Sequence, residues 1–211
     1  MSSTCDLIFK GSVGKIDYVY TILASTVAGC GFLLNSETVI IGSMLLSPLM
    51  KPMLLMFHNI SNKKFEIFFK NFGHLVVFGM IAVIIGSGFG KVVEGGYFEG
   101  VDSKELLNSP TISGRTLLKT KKGRLKIGLL SIIAIACGIS LALSTYYDRG
   151  VLSGVIVGAG ISTSILPPLV GGGITFGLGD DQGAYSGIML SGINLFLIFV
   201  SFGITESFLC K

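Results

Sequence analysis

Polar and backbone-freeing residues gather at two places in an otherwise apolar chain. Ser47, Pro48, Lys51 and Pro52 lie in the run Ser47-Pro48-Leu49-Met50-Lys51-Pro52. Ser164, Pro167, Pro168, Gly171 and Gly172 lie in or beside Ile165-Leu166-Pro167-Pro168-Leu169-Val170-Gly171-Gly172-Gly173. Proline lacks the backbone donor and clashes with the preceding turn, so each run frees carbonyl oxygens that a helix would otherwise use. Pro168 restricts Pro167 to extended or turn geometry, and the glycines that follow leave the backbone bare. In hydrocarbon such groups survive only against buried protein or a watery cavity. Bare carbonyls and half-helix ends are the groups with which membrane proteins hold ions or polar solutes. A plain kink beside a tight packing point is the other reading, and the residues leave both open.

Polar side chains at depth narrow the field. Lys51 sits between two prolines in an apolar block, where a lysine at the centre of a span costs about 2.5–3.5 kcal/mol. It either snorkels to the interface or faces water or an anionic group inside the protein. Asn194 stands mid-way in the last apolar block with four hydrogen-bonding sites to satisfy. It is expected to bond another helix, with backbone freed by a proline as one candidate partner. Ser162, Thr163 and Ser164 precede Pro167 and could satisfy freed groups locally. Glu37 and Glu206 are expected at the interface.

Soluble catalytic signatures are absent. There are two histidines, His58 and His74, and no H-E-x-x-H, phosphate loop or G-x-S-x-G elbow. No buried nucleophile with a matching base is evident, so enzymatic activity is not expected. Cys5, Cys30, Cys137 and Cys210 have no metal-ligand spacing. Neither a metal nor a cofactor is expected.

The elements that must position these residues are apolar blocks. Half of the 211 residues are hydrophobic and only 13% are charged, against about 25% charged in a soluble domain. Mean hydropathy is +0.77. Six blocks run Tyr18–Leu34, Thr38–Phe57, Phe72–Val93, Leu125–Ser144, Val151–Leu178 and Tyr185–Leu209. A spanning helix needs about 20 residues, so the first block is marginal and the fifth long. Asn35-Ser36-Glu37 is a tight link that favours a helical hairpin. The expected layout is a tail of cytoplasmic type over 1–17, a first membrane half over 18–93, a hydrophilic loop over 94–124 and a second half over 125–209. The tail and first block read as an uncleaved span, since no small-residue cleavage site follows.

The halves are weakly alike. Leu46-Ser47-Pro48-Leu49 aligns with Leu166-Pro167-Pro168-Leu169, and Val39-Ile40-Ile41-Gly42 resembles Val155-Ile156-Val157-Gly158. Two such breaks in matching places point to a transport-type site. A three-block repeat that crosses fully must be inverted.

Charge counting bears on topology. With six full spans, one side holds Lys10, Lys15, Lys63, Lys64, Lys70, Arg149 and Lys211. The other holds Lys91, Lys104, Arg115, Lys119, Lys121, Lys122, Arg124 and Lys126. That near balance fits the positive-inside rule poorly. If blocks two and five dip in and return, the second set joins Lys10, Lys15 and Lys211, which fits better. Both arrangements stay open.

Small residues make packing faces at Gly154-x-x-x-Gly158, Gly173-x-x-x-Gly177 and Gly183-x-x-x-Gly187. They allow close helix approach within the chain or between copies, and a homo-oligomer is expected. The basic run Lys119, Lys121, Lys122, Arg124 and Lys126 is expected to meet anionic headgroups rather than nucleic acid.

Several of these residues carry a family resemblance. Asn35-Ser36 with Ile41-Gly42-Ser43-Met44-Leu45-Leu46-Ser47-Pro48-Leu49-Met50 resembles the first signature of domain-of-unknown-function family 389, the microbial "uncharacterised hydrophobic domain" membrane proteins. Gly114-Arg115-Thr116 resembles the arginine before its fourth span. Leu166-Pro167-Pro168-Leu169 and then Asn194 resemble its second signature. Lys51 departs from the pattern, which has a small residue between the two prolines. Members often carry soluble domains beside the membrane core, and none is expected within these residues. The resemblance implies a polytopic membrane protein and names no activity.

The expected fold is therefore all-α, a polytopic transmembrane bundle of about six segments in two three-segment halves. Segments two and five are expected to be proline-broken or re-entrant. The expected function is a small-solute or ion transporter or channel, with its site at Ser47, Pro48, Lys51, Pro52, Ser164, Pro167, Pro168, Gly171, Gly172 and Asn194. The alternative is a non-transporting membrane scaffold or signalling module whose basic loop binds lipid or a partner.

Overall fold

A computed structural model describes residues 12–61, 65–98, 101–116, 121–146 and 150–209. Every regular element among them is a helix. In chain order these are α1 (Lys15–Leu33), α2 (Glu37–Leu46), α3 (Met50–Ser61), α4 (Phe65–Glu94) and α5 (Ser103–Asn108). They are followed by α6 (Pro110–Thr116), α7 (Lys121–Tyr146), α8 (Gly150–Gly177) and α9 (Asp181–Leu209). Three stretches, Lys15–Leu33, Phe65–Glu94 and Asp181–Thr205, are long and apolar enough to cross a membrane.

The molecule's surface and interior are apportioned as lipid would require. Ile16, Val19 and Leu23 on α1, Phe69 and Ile84 on α4, and Phe196 and Ile204 on α9 are exposed. Thr21, Ser25, Ser162, Ser164, Thr175, Ser191 and Asn194 are buried. Small residues let the helices approach closely, and buried Phe32, Met53, Phe78 and Ile174 fill the space between them. Most buried hydroxyls donate to a carbonyl one turn back, as Thr21 does to Asp17 and Ser25 to Thr21, each at 2.8 Å.

Helix α8 is the hub, packing on α1, α2, α3, α4, α6, α7 and α9. Its seam with α4 is built on paired glycines. Gly86 lies against Val170 and Gly173, and Gly90 against Ile174 and Gly177, so the two helices run parallel. On another face Gly172 meets Gly187, with a Cβ on Gly172 falling 3.4 Å from the Gly187 Cα. Ser191 then meets Ile165 and Asn194 meets Ser164, so α9 runs antiparallel to α8. Tyr18 packs on Phe78 with ring centroids 5.0 Å apart, and Gly29 faces Phe89, so α1 runs parallel to α4.

Three helices that end at the same side stop in the same way. Asn35 (φ 47), Gly96 (φ 71) and Gly179 (φ 77) occupy the left-handed region just after α1, α4 and α8. Each stop closes with a six-to-one backbone bond, Ser36 N–H to Gly31 at 2.9 Å, Tyr97 to Val92 at 3.2 Å and Asp180 to Thr175 at 2.8 Å. Glycine and asparagine are the residues that tolerate this geometry. Asn35 also accepts a 2.9 Å bond from the Thr111 hydroxyl, which ties α6 to the α1–α2 turn.

One expectation is corrected. Segment five is not interrupted, because α8 runs from Gly150 to Gly177 with Pro167 and Pro168 inside it. Segment two behaves differently: α2 stops at Leu46, Ser47 is extended (φ −74, ψ 126), and a new helix starts at Met50. An extended conformation is what a following proline imposes on the residue before it.

Candidate functional site

The site is best built from the carbonyls that the prolines free. In a continuous helix the amides of Pro167 and Pro168 would bond the carbonyls of Thr163 and Ser164, and proline has no N–H to give. The Ser164 carbonyl is served from the neighbouring helix instead, where Asn194 Nδ2 donates to it at 2.9 Å. One turn away, the Ser191 hydroxyl donates to the Ile165 carbonyl at 3.1 Å and to Gly187 on its own helix at 3.1 Å. Two polar side chains of α9 thus clip the proline turn of α8. A buried carbonyl left bare would cost about 1–3 kcal/mol, so the Asn194 bond offsets the donor that Pro168 removes from the Ser164 carbonyl.

Approach close enough for these bonds depends on glycine. A Cβ on Gly187 would fall within van der Waals distance of the Pro168 carbonyl oxygen and 2.9 Å from Gly172 Cα. Gly183 is buried against Thr175, where a Cβ would stand 2.9 Å from the threonine Cβ. The face Gly183–Gly187 is therefore used inside the chain rather than offered to a second copy. Gly171 faces the Phe32 ring of α1 at 3.4 Å by the same measure. Gly154 and Gly158 belong to the first half of α8, and their surroundings lie outside the described residues.

Asn194 is wholly buried, and its Oδ1 has no hydrogen-bond partner. The buried Ser162 hydroxyl on α8 and the Ser47 hydroxyl at the α2–α3 break are also without partners. Among the described residues these are the buried side-chain atoms left unpaired, and all three are oxygens. The Ser164 hydroxyl, by contrast, is satisfied by Ile161 at 2.9 Å. Pro48 is half-buried at the break and Pro52 is buried on α3, and both α2 and α3 pack on α8.

Lys51 has an anion of its own. Its Nζ lies 2.8 Å from Asp17 Oδ2, with the lysine side chain 39% exposed and the aspartate side chain 9%. The same oxygen accepts the Gly14 amide at 2.7 Å. Lys51 reaches the N-terminal turn of α1, where a carboxylate is also favoured by the helix dipole. Next to it the Tyr18 hydroxyl bonds His74 Nδ1 of α4 at 2.5 Å. The pair neutralises Lys51, and nothing in its geometry brings it to the oxygens around Asn194. Asp17 went unread in the sequence, where it falls in the tail just before the first apolar block, although an acid at the edge of one segment and a base inside another are a signal for such a pair. Gly86 and Gly90 were likewise missed, although they have the same four-residue spacing as the glycine pairs singled out. Of the basic run, Lys119 lies outside the described residues. Lys121, Lys122, Arg124 and Lys126 open α7, and their side chains lie outside them too.

Residues 44–200 match the family model described as "Domain of unknown function (DUF389)". The chain belongs to this family. The matched span runs from the turn before Ser47 to six residues past Asn194, so it contains the break, the proline turn of α8 and its clip. An uncharacterized protein of Methanocaldococcus jannaschii is 27% identical over 190 residues, covering 90% of this chain and 53% of the relative. The chain thus spans about half the length of that curated relative. No solved structure matches it significantly.

A concavity stands apart from these polar residues. A cleft of about 370 Å³ between α3, α4 and α9 is lined by Met56, Phe68, Phe72, Leu195, Phe196 and Phe199. Its walls suit an acyl chain or another apolar surface and offer nothing to a polar solute.

Proposed function

We propose that this DUF389 chain is a multi-pass membrane protein that moves a small solute or ion between the α2–α3 break and the proline turn of α8. The observation that carries the reading is Asn194, a fully buried amide with Oδ1 unpaired. A polar side chain this deep that ties two helices and still leaves one atom unpaired has an acceptor to spare for a solute. No catalytic role is assigned to any residue.

Helix direction supports a crossing arrangement over a re-entrant one. The Lys51–Asp17 bond links α3 to the start of α1, while Ile40 of α2 packs near Gly31 at the end of α1. Segment two therefore climbs the whole length of α1. The cleft places Met56 beside Phe68 and Phe72, near the start of α4. Only residues 147–149 separate α7 from α8, which packs them antiparallel. On this reading α1, α4 and α8 descend while α2–α3, α7 and α9 ascend, so the halves are inverted copies in direction. Inverted halves with a discontinuous segment facing the partner half are a recurrent transporter plan. Anionic headgroups would meet Lys119, Lys121, Lys122, Arg124 and Lys126 where α7 begins.

Water accessibility tests this reading. In a version with the native cysteines replaced, single cysteines are placed along Met44–Met53 and Ile165–Gly173. Sealed vesicles are then treated with a membrane-impermeant thiol reagent from each side. Labelling deep in both stretches is expected, and dry, unreactive positions throughout would leave packed kinks and a scaffold in place of a pathway.

A further inference from the structure

The class of solute follows from which atoms the interior leaves free, and this step rests on the pathway reading above. The orientation of the Asn194 amide is set by Pro168. Because the Ser164 carbonyl has lost its helical donor, Nδ2 must face it, and Oδ1 is turned the other way. A flipped amide would set two oxygens against each other and leave the carbonyl bare. The proline therefore determines that the free atom is an acceptor.

The neighbouring groups have the same character. The Ser191 hydroxyl has already given its proton to the carbonyls of Ile165 and Gly187, leaving its oxygen lone pairs. Ser162 adds an unpaired hydroxyl less than a turn earlier on α8. Among the described residues no cationic side chain is placed at this position. Lys51, the basic residue in segment two, is held by Asp17 at 2.8 Å. Among the described residues no cluster of acidic, histidine or cysteine side chains could hold a multivalent metal.

We infer that Asn194 Oδ1 is a ligand for a small monovalent cation. A neutral set of carbonyl, amide and hydroxyl oxygens replaces the hydration of a singly charged ion, as in selectivity filters and sodium sites. Calcium and magnesium call for carboxylates. An anion would need positive charge or several donors; Lys51 is held by Asp17, and the unpaired buried donors among the described residues are the Ser47 and Ser162 hydroxyls alone.

The test separates the ligand role of Asn194 from its clip role. Pro168→Ala gives residue 168 its own N–H, which can serve the Ser164 carbonyl and relieve Asn194 of that duty. The full chain is purified in detergent, and its thermal midpoint is followed on replacing N-methylglucamine chloride with lithium, sodium, potassium or rubidium chloride. At about tenfold excess over the dissociation constant, one of these ions is expected to raise the midpoint by about 3–6 °C. Pro168→Ala is expected to keep that response, and Pro168→Ala/Asn194→Leu to fold and lose it. Should the leucine variant fail to fold, Pro168→Ala/Asn194→Asp serves instead, with cation affinity expected to rise at least tenfold. The inference is overturned if no cation shifts the parent protein, or if the shift survives in the leucine double variant. It is equally overturned if the aspartate variant binds no tighter, or if changing the anion produces the shift. Uptake into proteoliposomes of whichever ion raises the midpoint judges the transport reading separately, since binding without uptake would sink transport and leave the cation site intact.

Discussion

Gly86→Ala and Gly173→Ala are each expected to destabilise the protein strongly, while Gly88→Ala, on the same helix as Gly86, is not. A Cβ on Gly86 would fall on the Val170 carbonyl oxygen and 3.1 Å from the Gly173 Cα. One on Gly173 would fall on the Val83 carbonyl and 3.0 Å from the Ser87 amide nitrogen. The obstruction is backbone on both sides, so no side chain can swing away and the helices themselves must separate. Overpacking of this kind costs about 1–3 kcal/mol and occasionally more. A backbone obstruction belongs at the upper end. Gly88 faces open space, with nothing within 4 Å of its would-be Cβ. There alanine only improves helix propensity, by up to about 1 kcal/mol. The temperature at which half the purified protein loses its monodisperse gel-filtration peak is the measurement. Equal midpoints for Gly86→Ala and Gly88→Ala would mean that the α4–α8 seam does not hold the bundle together.

Breaking the Asp17–Lys51 pair should be asymmetric. Lys51→Met leaves the Asp17 carboxylate buried with only the Gly14 amide as partner. Removing one member of a buried pair costs about 3–5 kcal/mol. With the lysine side chain 39% exposed, solvent screening lowers the expected loss to about 2 kcal/mol. Asp17→Asn is milder, about 1 kcal/mol, because the freed lysine can extend its ammonium toward water or headgroups. The double variant Asp17→Asn/Lys51→Met should recover much of what Lys51→Met loses, since no unpaired charge remains. Thermal midpoints of the three variants in one detergent decide it. Additive losses would show that the two side chains do not act as a pair. The result also bears on function, because a lysine already neutralised has no charge to spare for an anionic solute.

The two proline runs show how far local sequence reaches. Each was legible as a place where backbone oxygens come free, since that follows from the ring alone. What became of the helix was not legible. At Pro48 the chain leaves the helix for three residues, 47–49, and restarts at Met50. At Pro167-Pro168 it continues unbroken, and Asn194 reaches across from α9 to serve the carbonyl that Pro168 leaves without a donor. The donor for Ser164 comes from 30 residues further along the chain. Asn194 itself could be singled out by its polarity in an apolar block, and a bond to freed backbone was among its expected uses. Its unpaired Oδ1 could not be foreseen, because the orientation of an amide depends on the partner it meets.

Charge and glycine divide in the same way. The composition, the apolar blocks and the family motifs are local properties, and the sequence alone determined that this is a helical chain with membrane-spanning character and two polar interruptions. Hydrophobic length and proline sterics act within one segment, so they can be read from one segment. Only the tertiary structure decided that Lys51 belongs to Asp17, 34 residues away. It alone matched Gly86 and Gly90 to Gly173 and Gly177, and turned the Gly187 face inward against α8. Ion pairs, close glycine contacts and borrowed hydrogen bonds are settled by which helices meet and at what height. That depends on the sum of all the contacts in the bundle, which no single stretch of sequence contains.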